Sequence, residues 1–74
     1  MNLTEVNERE TACITHIHMG AQAKQRLCHI GIYEGAHIKV ERKKGKGKAI
    51  LLLVRGNFMM MRCQDAQRIE VEVI

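Results

Sequence analysis

Seven side chains of this 74-residue sequence have the chemistry to ligate a transition metal or to act as nucleophile and base: Cys13, His16, His18, Cys28, His29, His37 and Cys63. Thiolates and imidazoles are the ligands that zinc, copper and iron favour. Their spacing does not serve that chemistry. Three cysteines, an odd number, fit neither paired zinc knuckles nor a disulfide framework, and free thiols in a reducing compartment are the simplest account. In an extended strand His16 and His18 share one face and Cys13 takes the other. Cys28 and His29 are neighbours on a helical stretch and diverge by about 100°, which removes them as a metal pair and as a nucleophile–base pair. Asp65 is the single aspartate, and no Ser-His-Asp or Cys-His-Asn order is recognisable. Gly45-Lys46-Gly47-Lys48 lacks the strand–loop–helix setting of a phosphate loop. The expectation is a non-enzymatic chain without a cofactor: a transition metal is the one group its side chains could attract, and the ligand spacing does not support a site for it.

Charge is distributed as unevenly as the ligands. Twelve Lys plus Arg against eight Asp plus Glu give a net charge of +4, yet Arg42, Lys43, Lys44, Lys46 and Lys48 fall within seven residues. The rest of the chain carries seven basic against eight acidic groups. This basic segment reads first as the solvated tip of a hairpin. It could also meet anionic lipid headgroups, where each Lys or Arg contributes about 1 kcal/mol. Nucleic acid is disfavoured, because Tyr33 and Phe58 are the only aromatics and neither lies in the segment, so no stacking platform accompanies the charge.

The elements that position these groups are short. At 46% hydrophobic and 27% charged the chain is globular. One domain spans residues 1–74, with residues 1–9 expected to be loosely ordered. That start is polar and acidic and lacks the basic and apolar regions of a secretory signal, and the longest apolar run, Ala49 to Val54, falls well short of the roughly 20 residues of a membrane span. A cytoplasmic location is expected. Thr11 to His18 reads as a strand with Ala12, Ile14, His16 and His18 on one face. Ala23, Leu27 and Ile30 form the stripe of a short helix that Gly31 can end. Ile38 and Val40 alternate with His37, Lys39 and Glu41, and together with Ala49 to Arg55 they make a hairpin whose glycine-rich tip, 43–48, holds the lysines. Phe58 to Arg62 is a further strand, in which the methionines fill gaps in an aliphatic core. One helical turn over Gln64–Gln67 precedes a last strand through Ile69, Val71 and Val73. About five short strands and one helix, all in a mainly β chain, bury their apolar faces most economically by closing into a small barrel.

The run Arg26-Leu27-Cys28-His29-Ile30-Gly31-Ile32-Tyr33-Glu34-Gly35 resembles the FeoA family, accessory proteins of bacterial ferrous iron transport. The likeness continues through Ile38 and Val40, the 43–48 loop, Gly56, and Ala66-Gln67-Arg68-Ile69-Glu70-Val71. It implies an SH3-like barrel, no catalysis, and service to a FeoB-like membrane GTPase and iron transporter at its cytosolic side. The chain departs from the family pattern at Glu34, where proline is common, and at Leu51 and Leu53, which are usually polar. If Ile50, Leu52 and Val54 face the core, Leu51 and Leu53 point outward beside Arg55. Either the helix or the N-terminal segment covers them, or they dock another protein or a second copy of this chain. Arg26, Leu51, Leu53 and Arg55 are therefore the candidate contact residues. The same fold serves as the C-terminal domain of DtxR-type repressors, so a metal-responsive regulatory or general protein-interaction module is the alternative, with a small RNA-binding barrel behind it.

Overall fold

The computed structural model describes residues 1–74. Alternation of aliphatic and polar residues produces five strands: β1 (Thr11–Ile17), β2 (His37–Lys44), β3 (Ala49–Val54), β4 (Asn57–Arg62) and β5 (Ile69–Val73). The helix α1 (Ala21–His29) lies between β1 and β2, and the single turn α2 (Cys63–Ala66) between β4 and β5. All strand pairs are antiparallel, in the order β4-β3-β2-β1-β5. The sheet curls around one core in the SH3-like manner, but its ladder does not close. β4 and β5 each keep an outer edge.

Ile14, Ile38, Val40, Ile50, Leu52, Val54, Ile69 and Val71 are buried, which places the expected faces of β2, β3 and β5 inward. Met61 is buried, Met59 half-buried and Met60 exposed, as alternation along β4 requires. Burying a Leu or Ile side chain contributes about 1.5–3 kcal/mol. These residues are the main source of stability in a chain with two aromatics.

Three expectations are corrected. Residues 1–9 are not loose. Leu3–Glu5 form a 3₁₀ turn closed by a capping box, in which the Asn2 side chain accepts the N–H of Thr4 and the Glu5 carboxylate accepts the N–H of Asn2 at 2.8 Å. The turn drives Leu3 and Val6 into the core with no exposure at all. Second, β1 is not a simple alternation. A bulge between Ile14 and His16 shifts its register against β5, so that Ile14 and Ile17 both face inward while His16 is exposed. Third, Arg42, Lys43 and Lys44 belong to β2, and only residues 45–48 form the loop. A second bulge between Val40 and Arg42 turns Lys43 toward the N-terminal segment. There its Nζ donates to the Thr4 carbonyl at 2.9 Å and its backbone N–H to Glu8 at 2.8 Å.

Helix α1 ends as its sequence dictates. Gly31 takes φ +94°, its N–H bonds the Cys28 carbonyl, and the N–H of Ile32 bonds that of Leu27. A Cβ at Gly31 would stand 3.0 Å from Val54 Cγ1, so glycine is required for space as well as for conformation. The expected stripe is nonetheless weakly seated. No residue of α1 is fully buried, Leu27 is half-buried against the core, and Ile30 is 51% exposed. The helix lies against the sheet as a flap.

Candidate partner-docking face

Register decides which side chains meet on the outside of the sheet. Leu51 pairs with Met60 and Leu53 with Phe58, so these four share one face of β3 and β4. Leu51 and Leu53 are half-buried, whereas Phe58 is 64% and Met60 53% exposed. The neighbours that the register gives them on this face are Phe58 and Met60 on one side and, across β2, Arg42 opposite Leu51 and Lys39 opposite Leu53. The result is an apolar strip with a basic border. Sequence reasoning named Leu51 and Leu53 and missed Phe58 and Met60. The alternation of Phe58-Met59-Met60-Met61 contained the signal, because burial of Met59 and Met61 commits the other two to the surface.

Arg55 sits in the two-residue turn between β3 and β4. It adopts φ +52° and Gly56 φ +80°, the signs a type I′ hairpin turn demands. A bulky residue in that region is strained. Here its guanidinium lies 5.5 Å from the Tyr33 ring centre and donates to the Tyr33 hydroxyl at 2.8 Å. Arg26 is exposed on α1 and lines a hollow of about 270 Å³ with Met19, Leu27, Met61, Arg62 and Asp65. The four expected contact residues thus fall in two places. Leu51 and Leu53 lie on the outer face, while Arg26 and Arg55 lie along the side where α1 approaches β4. Of the basic set, Arg42 borders the strip, Lys46 and Lys48 are exposed in the loop, and Lys44 is exposed at the end of β2.

The potential metal ligands are scattered. The bulge in β1 puts His16 on the same side as Cys13, contrary to expectation, and the rings of His16 and His18 lie 4.7 Å apart. Each pairs with a carboxylate instead of converging. His18 Nε2 is 2.8 Å from Glu70, and His16 Nδ1 is 3.9 Å from Glu34. The hydrogen bond with His18 holds the Glu70 carboxyl below its ordinary range. Glu34 is lowered chiefly because it accepts the Ile17 N–H at 3.1 Å, with Lys24 and His16 adding to the effect. No group of three or more His, Cys, Asp or Glu is arranged to hold a metal ion. All three cysteines are free; Cys63 packs against the core, but Cys28 is exposed, so burial does not explain that thiol.

The same fold recurs among solved structures. The FeoA protein of Chlorobium tepidum superposes with a TM-score of 0.90 at 28% identity, over 100% of this chain and 70% of that one. FeoA of Stenotrophomonas maltophilia, a procaryotic SH3 domain protein solved with zinc, superposes with a TM-score of 0.79 at 22% identity, over 97% and 89%. The zinc-bound repressor ScaR matches over 100% of this chain and 37% of its own, with a TM-score of 0.85 at 23% identity, which shows a shared fold alone. No curated protein sequence matches. The FeoA domain family matches residues 1–73, and the chain therefore belongs to the FeoA family, small non-catalytic accessory domains of iron(II) transport.

Proposed function

We propose that this chain serves bacterial ferrous iron uptake by binding a FeoB-type membrane GTPase and transporter at its cytosolic side, through protein–protein contact. The observation that carries the reading is the strip of Leu51, Leu53, Phe58 and Met60, bordered by Arg42, on a domain with no site for chemistry. Exposed apolar side chains with an arginine beside them form the kind of patch that dominates binding energy between proteins. No helix of the chain is long and apolar enough to cross a membrane. Lys46 and Lys48, exposed at the hairpin tip, would then face anionic headgroups and add a weak, salt-sensitive attraction.

The test is co-purification with a FeoB-type transporter in detergent. Replacing Leu51 and Leu53 together with serine is expected to lower capture at least tenfold, equivalent to about 1.4 kcal/mol. The circular dichroism spectrum should remain that of the folded chain. Undiminished capture by that folded variant overturns the reading.

A further inference from the structure

The outer edge of β4 is open, and the register of the β3–β4 hairpin fixes which groups it offers. The Cys63 N–H bonds the Lys48 carbonyl at 2.9 Å, which extends the β3–β4 ladder by one step. In an antiparallel pair the bonded residues alternate, so Met61, Met59 and Asn57 direct their backbone groups toward β3. Phe58 and Met60 must therefore turn both N–H and C=O away from the sheet, and nothing else in the chain bonds to them. The edge is not blunted by proline or by a covering segment, the usual protections.

Helix α1 runs beside this edge on the inner side and leaves two hollows against it. One, of about 270 Å³, is floored by Met61 and Leu27. The other, of about 380 Å³, is floored by Met59 and Ile30. Met59 and Met61 are two residues apart, so the hollows repeat at about 6.8 Å, the spacing of alternate side chains on a strand. The charge along the cleft is one-sided. Arg26 and Arg55 have no carboxylate within ion-pair distance, and the one acid present, Asp65, is engaged by Arg62 at 3.5 Å.

We infer that the cleft between β4 and α1 captures an extended, acidic segment of a partner protein. The segment adds to the sheet as a sixth strand, placing two alternate apolar side chains in the two hollows and, on the same face to either side of that pair, carboxylates against Arg26 and Arg55. Main-chain bonds would supply affinity and the hollows selectivity, the division of labour in strand-addition complexes. A second copy of this chain is the poorer occupant, since pairing two β4 edges brings the same arginines together. The inference rests on the docking function above and specifies its mode.

The probe is a blocked heptapeptide, Glu-Ser-Val-Ser-Val-Ser-Glu, whose valines and glutamates share one face of a strand, titrated into the intact chain and followed by amide NMR. The amides of Phe58 and Met60 are expected to shift, and their hydrogen exchange to slow at least tenfold. The same peptide with lysine in place of both glutamates should bind at least tenfold more weakly. Met60→Pro removes an N–H that β3 does not use, so the folded spectrum should persist while binding is lost. Arg26→Glu, on the exposed side of α1, should weaken binding at least fivefold and provides a readout if the proline variant does not fold. Equal binding of both peptides, or shifts confined to other strands, overturns the proposal. So does protection of Phe58 and Met60 without peptide, accompanied by a dimer in sedimentation. Peptide capture without transporter capture would remove the proposed partner and leave this mode standing; transporter capture unaffected by a folded Met60→Pro would do the reverse.

Discussion

The two edges of the sheet are treated in opposite ways. At β5, the N-terminal segment seals the edge. Asn2 bridges to Glu70, the Val71 N–H bonds the Met1 carbonyl at 2.9 Å, and Leu3 and Val6 are carried beneath it into the core. At β4, nothing is laid over the edge, the side chains turned outward are Phe58 and Met60, and the adjacent helix is held by partial contacts. Edge strands that are long and apolar are normally hidden or charged because they invite another chain. A molecule that spends its first six residues closing one edge and leaves the other bare has a stable side and a receptive side.

That contrast can be broken most forcefully at the sealed edge. Leu3→Ala is expected to cost about 2–5 kcal/mol, enough to threaten the fold of so small a domain, as read from urea or thermal denaturation. Phe58→Ala at the open edge should change stability by no more than about 0.5 kcal/mol in the same assay. Comparable losses at both sites would mean that the two edges are not different in kind. Gly31→Ala tests the helix stop beside the open edge. The positive φ and the close approach of Val54 should together cost about 1–3 kcal/mol and loosen α1. Arg55→Asn is predicted to be neutral or stabilising by a few tenths of a kcal/mol, because asparagine suits the type I′ turn, while partner capture falls. A clear loss of stability would instead make the Tyr33 contact structural.

The smallest effect concerns acid. Glu34 and Glu70 have folded-state pKa values below the ordinary value, so the stability they contribute is complete above the usual carboxylate range of about 4.3. It is lost as pH falls through their lowered values. In Glu34→Gln/Glu70→Gln protein the acid limb of the denaturation midpoint should be shallower than in wild type. An unchanged limb would assign acid sensitivity to the other carboxylates.

Much of this organisation could be read from the sequence, because it depends on local periodicity. The strands, the helix stop at Gly31 and the inward set Ile50, Leu52 and Val54 follow from alternation and from glycine chemistry. What escaped depends on breaks in that periodicity or on contacts distant in sequence. A strand reading assumes an unbroken register, and one extra residue in β1 reverses the face of everything after Ile14. The bulge in β2 likewise turned Lys43 from a supposed loop cation into a tie for residues 4 and 8. Leu3 and Val6 looked isolated among polar residues, although Asn2 and Glu5 already spelled a capped turn. The strip was half visible: Leu51 and Leu53 stood out, but their joining with Phe58 and Met60 needed the hairpin register. The openness of β4 was hidden altogether, since closure of a sheet is a property of the whole chain.

The ring stacked beneath Arg55 has an optical consequence. With no tryptophan to receive its energy, Tyr33 is the sole phenolic emitter in the molecule, and its hydroxyl is tied to the turn that begins β4. Any ligand that draws Arg55 away alters the surroundings of that one fluorophore. The chain thus carries an intrinsic, label-free gauge of whether its receptive side is occupied.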